Sequence, residues 1–193
     1  MIAAADPTKY GWWIASRASA IVALLLIALS VILGLMMATK VLNRPRLNQL
    51  LMGLHQHIAL AGMIAIALHG LTLLGDRWLH PSLSNLVVPF SMSYQPFWTG
   101  LGVLGGELAV ILGLSFYIRG SIGQKLWRKM HRFIIAVYVL GVAHALGSGT
   151  DASTAWFRIV LLATVAPVLF LALLRLLQSR AGRLSGQLQQ AGR

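Results

Sequence analysis

The chain has 193 residues, of which 58% are hydrophobic and only 10% charged, with a mean hydropathy of +0.76. A soluble domain carries about a quarter charged residues, so this composition excludes a water-soluble globule. With no cysteine, the chain can hold no disulfide, iron–sulfur cluster or thiolate-bound haem and can run no thiolate catalysis. The net charge of +12 would point to nucleic acid in a soluble protein. Here the basic residues sit at the ends of apolar runs, so the expected partner is anionic membrane lipid and not nucleic acid.

Crossing about 30 Å of hydrocarbon takes about 20 helical residues, and five stretches are long enough: 13–38, 49–74, 97–118, 129–147 and 156–178. The first opens on Trp12 and Trp13, an interfacial belt. It lacks a basic n-region and a small-residue cleavage site, so it reads as a retained helix rather than a signal peptide. The second carries His55, His57 and His69, the third Glu107, and the fourth His131, Tyr138 and His144. Pro167 is expected to kink the fifth. Residues 75–97 form the only long connection, which fits a short interfacial helix or a lid. The expected fold is an all-α integral membrane bundle of about five helices. Residues 1–12 form an outer segment, 13–178 the transmembrane domain and 179–193 a loose polar tail.

Charge orients the bundle. Lys40, Arg44, Arg46, Arg119, Lys125, Arg128, Lys129, Arg132, Arg175, Arg180, Arg183 and Arg193 fall on one side, which is 12 of the 16 basic residues. Lys9, Arg17, Arg77 and Arg158 fall on the other, together with Asp6, Asp76 and Asp151. The positive-inside rule then puts the N-terminus outside and the C-terminus in the cytoplasm.

The second and fourth spans run in the same direction, and each presents one histidine near its inner end and one near its outer end. At 1.5 Å per residue, His55 and His69 lie about 21 Å apart, and His131 and His144 about 20 Å. Two parallel helices with imidazoles at two matched depths suit two bis-histidine b-type haems, one above the other. His69 lies within about 40° of the face of His55, whereas His144 lies about 140° from the face of His131, which a straight helix accommodates poorly. His57 is turned about 120° from the face of His69, so it reads as an alternative ligand or a donor to a haem propionate. His80, in the outer loop, reads as a surface residue. Arg128 and Arg132 flank His131 by about a turn and suit either haem propionates or lipid phosphates. Glu107 suits a hydrogen bond to a histidine, a quinol proton path or a pair with Arg17. Tyr138 sits midway between His131 and His144, either between the haems or as a packing residue.

The spacing of His55 with His69 and of His131 with His144 resembles the ferric reductase-like transmembrane domain. That superfamily includes NADPH oxidases, ferric reductases and the haem-binding membrane subunit of the methionine sulfoxide reductase system. The run Trp127-Arg128-Lys129-Met130-His131-Arg132 is similar to the family's junction before that span. The stretch from His144 to Asp151 resembles bacterial members. The resemblance implies that His55 and His131 ligate a cytoplasmic-side haem and His69 and His144 an outer one, with electrons passing from inside to outside. Two features depart from the family. Many members have six spans rather than five, and oxidase and reductase members carry a flavin and nicotinamide domain after the last span. Here about 15 residues follow position 178, so the electron donor is expected to be a separate protein or a quinol, and the outer acceptor is left open. A quinol-linked oxidoreductase and a non-redox anchor or transporter are the alternative functions.

Overall fold

The structure is a computed structural model and describes residues 7–41 and 44–191. Asp6 and Arg193, and the side chain of Lys9, lie outside the described residues. Among the described residues every regular element is helical: α1 (Pro7–Thr39), α2 (Pro45–Leu73), α3 (Leu83–Val87), α4 (Pro96–Leu114), α5 (Arg119–Ile122), α6 (Gln124–His131), α7 (Ile134–Ser148) and α8 (Ala155–Ala191). Five segments are long and apolar enough to cross a membrane: Tyr10–Thr39, Pro45–Leu73, Pro96–Leu114, Gln124–Ser148 and Ala155–Arg183. Proline opens α2 and α4, where a fixed φ and a missing N–H suit the first helical turn.

The first helix is the centre of the bundle. It packs on α2, α7 and α8, while α4 packs on α7 and α2. Ile27, Ala28, Val31 and Leu35 of α1 meet Ala109 and Leu112 of α4, Val137 and Tyr138 of α7, and Val168 and Leu171 of α8 in one apolar core. The outward faces are equally apolar. Ile64, Leu68, Ile111, Val139, Ile159, Leu162, Leu169 and Phe170 are all exposed. Water would not tolerate such a continuous belt, but lipid requires it, because burial against hydrocarbon costs these side chains nothing.

Three details differ from the expectations. Residues 7–12 belong to α1 rather than to a separate outer segment. The loose tail is instead a continuation of α8 to Ala191, as its arginine, leucine, glutamine and alanine content allows. Pro167 lies inside the fifth span, within α8, as expected from the sequence. The fourth span is not one straight helix. His131 closes α6, Arg132 and Phe133 form a turn, and α7 begins at Ile134.

That turn reduces the angular mismatch between His131 and His144. Backbone bonds there reach back three residues, from Phe133 N–H to the Met130 carbonyl at 2.9 Å and from Ala136 N–H to the Phe133 carbonyl at 2.8 Å. Each residue in this tighter geometry turns about 120° instead of about 100°. A few such residues rotate α7 so that His144 comes round toward the face of His131.

The 75–97 connection does contain a short helix. Ser82 and Asn85 cap α3 reciprocally, the Ser82 hydroxyl facing the Asn85 N–H and the Asn85 carbonyl oxygen accepting from Ser82 N–H. Trp78, Leu79, Met92 and Tyr94 from this connection cover a cavity between α1, α2, α4 and α7.

Candidate functional site

The structure brings four of the six histidines together as two pairs. The ring centroids of His55 and His131 are 6.0 Å apart with the planes at 90°. Those of His69 and His144 are 6.1 Å apart at 63°. A metal bonded to a ring nitrogen at about 2.0 Å lies about 3 Å from that ring's centroid. Two imidazoles sharing one metal from opposite sides therefore have centroids about 6 Å apart. Both pairs have this separation, which also falls in the range of edge-to-face ring contact.

The ring tautomers point the same way. His55 Nδ1 lies 2.9 Å from the Ser30 carbonyl oxygen, His69 Nδ1 2.9 Å from the Ser16 carbonyl oxygen, and His144 Nδ1 3.0 Å from the Trp98 carbonyl oxygen. A carbonyl only accepts, so each Nδ1 carries the proton and donates it. A neutral imidazole then has an unprotonated Nε2 with a free lone pair. Hydroxyls reinforce each anchor: Ser30 at 3.0 Å from His55, Ser16 at 3.0 Å from His69 and Ser148 at 3.1 Å from His144. Outer-shell hydrogen bonds of this kind fix the orientation of metal-ligating histidines.

The fourth histidine is held differently. His131 stacks on Trp127, one helical turn earlier, at 5.0 Å between centroids and 23° between planes. Its Nδ1 is buried and has no hydrogen-bond partner among the described residues.

Between His69 and His144 lies an apolar cavity of about 250 Å³, whose walls include Leu24, Ile27, Ile66, Gly105, Gly106 and Tyr138. Next to this space α4 approaches α7 closely. A Cβ on Gly102 would sit 2.6 Å from His144 Nδ1, so only glycine lets α4 pass against that ring. At the mouth of the cavity, Arg17 of α1 forms an ion pair with the buried Asp151, which follows α7. The Arg17 guanidinium also lies over the Trp13 ring at 5.0 Å.

The remaining candidates do not converge on the pairs. His57 is exposed and bonds the Gly53 carbonyl of its own helix at 2.8 Å. His80 is exposed in the outer loop with φ 42°. Arg128 and Arg132 are exposed, and neither makes a hydrogen bond or ion pair with a described residue. Glu107 is half-buried and likewise without a polar partner among the described residues. It does not pair with Arg17, because Asp151 lies close enough to take both arms of that guanidinium. Tyr138 is buried in the core and donates to Thr164 Oγ1 at 2.8 Å. No cluster of three or more His, Asp or Glu side chains exists among the described residues, so the protein groups themselves do not form a closed cage for a bare ion.

Sequence reasoning missed Ser16, Ser30, Trp98 and Ser148 as anchors, and the Arg17–Asp151 pair. One signal was available. Ser16 and Ser30 have the same 14-residue spacing as His55 and His69, as expected where two antiparallel helices meet at two levels. The carbonyl of Trp98 left no such trace, because a backbone acceptor has no residue signature. No family model, curated protein or solved structure matches the chain.

Proposed function

We propose that the chain carries electrons across a membrane through two b-type haems, one held by His55 and His131 and the other by His69 and His144. The carrying observation is the pair of imidazole separations, 6.0 and 6.1 Å, each the width of one metal with two axial nitrogens. The fit extends beyond the rings. Three of the four present a free Nε2, and the His69–His144 pair faces an apolar cavity walled partly by glycine. Iron with two axial imidazoles exchanges single electrons without opening a coordination position to substrate.

The protein supplies position and environment. The Ser16, Ser30 and Trp98 carbonyls orient their imidazoles and raise the basicity of Nε2. The apolar walls keep water from the outer pair. The separation of the layers, about 20 Å along α2, makes one layer accessible from each face of the bilayer. The charge distribution supports an N-terminus outside and a C-terminus in the cytoplasm of a bacterial inner membrane. In that orientation the His55–His131 layer is the inner one. Electrons would enter at this layer from a cytoplasmic-side donor protein or a quinol and would leave from the other layer to an outer acceptor. The four histidine positions also support the likeness to the ferric reductase-like transmembrane domain.

The test is an ultraviolet–visible spectrum of the purified protein, oxidised and then reduced with dithionite, with haem quantified per chain. Sharp low-spin b-type bands at two haems per chain are the expected result. A colourless protein that takes up no added haem would overturn the proposal and favour an anchor or transporter.

A further inference from the structure

The four imidazoles provide an internal comparison. His55, His69 and His144 each donate Nδ1–H to a carbonyl within 3.0 Å. His131 donates to no protein group among the described residues. The indole Nε1 of Trp127, the ring stacked on it, is also buried without a partner, and these are the only two such side-chain atoms found there. The backbone differs as well. His55 and His69 lie within the 29-residue α2. His131 is the last residue of the eight-residue α6, which contributes no buried residue to the bundle and runs directly into the Arg132–Phe133 turn.

Both differences act in the same direction. An outer-shell acceptor strengthens a ligating imidazole, and loss of one typically lowers metal affinity 10–100-fold. A buried N–H without a protein acceptor destabilises the state that buries it. When the ring swings away from its ligating position, that N–H can reach solvent. The short helix and the turn beside it give the ring a backbone that can yield.

We propose that His131 is the exchangeable ligand of this protein: a small neutral π-acceptor of the carbon monoxide class displaces it at the His55–His131 layer, while the His69–His144 layer stays closed. The inference rests on the haem reading above. In the exchange one coordinate bond breaks, at His131 Nε2, and one forms, to the carbon of the incoming molecule. No electron is transferred and no proton moves. His55, tied to Ser30, would keep its hold, and the Trp127 stack is the latch that sets how readily His131 leaves.

The experiment is a carbon monoxide titration of the dithionite-reduced protein in detergent, followed in the Soret band. One of the two haems per chain should convert at a carbon monoxide concentration 10–100-fold below the other. The His69→Ala/His144→Ala double variant should keep the tight-binding haem, and the His55→Ala/His131→Ala variant should keep only the weak one. Trp127→Ala should tighten the first conversion several-fold and leave the second unchanged, which assigns the layer even if a double variant fails to accumulate. Equal titration of both haems, neither haem responding, a tight site in the His69–His144 layer, or no effect of Trp127→Ala would each overturn the proposal. A protein with no haem would overturn it together with the haem reading, and the starting spectrum separates that case from the others.

Discussion

The two histidine pairs share two strands of the chain, α2 on one side and the α6–α7 segment on the other, and their ring separations agree to 0.1 Å. Their surroundings differ. The His69–His144 pair has a carbonyl and a hydroxyl on each ring, an apolar cavity beside it and an ion pair at the cavity mouth. The His55–His131 pair has such anchors on one ring only; the other ring rests on an indole. The spacing of the imidazoles is thus set by the helices, whereas in the proposed haem reading the strength with which each ring would hold a metal is set one layer further out. The same first layer can serve a rigid site and a yielding one.

Removing a ring tests this division most severely. His69→Ala or His144→Ala should lower the haem content from two to one per chain, measured by extraction and quantification, with the remaining bands still low-spin. Gly102→Val should have nearly the same effect without replacing a histidine. Its added carbons land on the His144 ring, where the Cβ alone would lie 2.6 Å from Nδ1. If that variant keeps both haems, α4 does not set the His144 position.

A smaller effect is expected from Asp151→Asn. It leaves Arg17 without its carboxylate beside an apolar cavity. Arg17 retains partial exposure, at 36% of its side chain, so the loss is about 1–3 kcal/mol rather than the larger cost of a fully buried charge. It is read as earlier thermal unfolding in detergent, and the His69–His144 haem should be lost before the other. The smallest effects belong to the serines. Ser16→Ala and Ser30→Ala each remove a hydroxyl while the carbonyl anchor stays, which costs about 0.5–1.5 kcal/mol. Haem content should stay at two, and the reduction potential should move only at the layer the serine touches. If both layers shift together, the two anchors are not independent.

The five spans and the two histidine depths were legible in the sequence because both follow from one-dimensional quantities: apolar length and residue count. The pairing of His55 with His131 and of His69 with His144 followed from direction alone, since the second and fourth spans cross the same way. The turn at Arg132–Phe133 was not legible. Neither residue is a helix breaker, and the angular mismatch of His144 announced only that something had to give. Arg17 was placed on the same side as Asp151 by charge counting, yet its partner depended on α1 and the end of α7 meeting in space. The helical continuation past position 179 was hidden by a polar composition that suits a solvated helix as well as a coil.

The serines of α1 have one more consequence. Ser16 faces His69 and Ser30 faces His55; the two serines are 14 positions apart, and so are the two histidines. A single residue inserted between the two serines would turn one of them by about 100° relative to the other. Sliding α1 along its neighbour could then restore one contact but never both. The first two helices therefore gauge each other's length. Insertions and deletions inside this stretch should be tolerated only when matched in both helices, while the connection between them can vary freely.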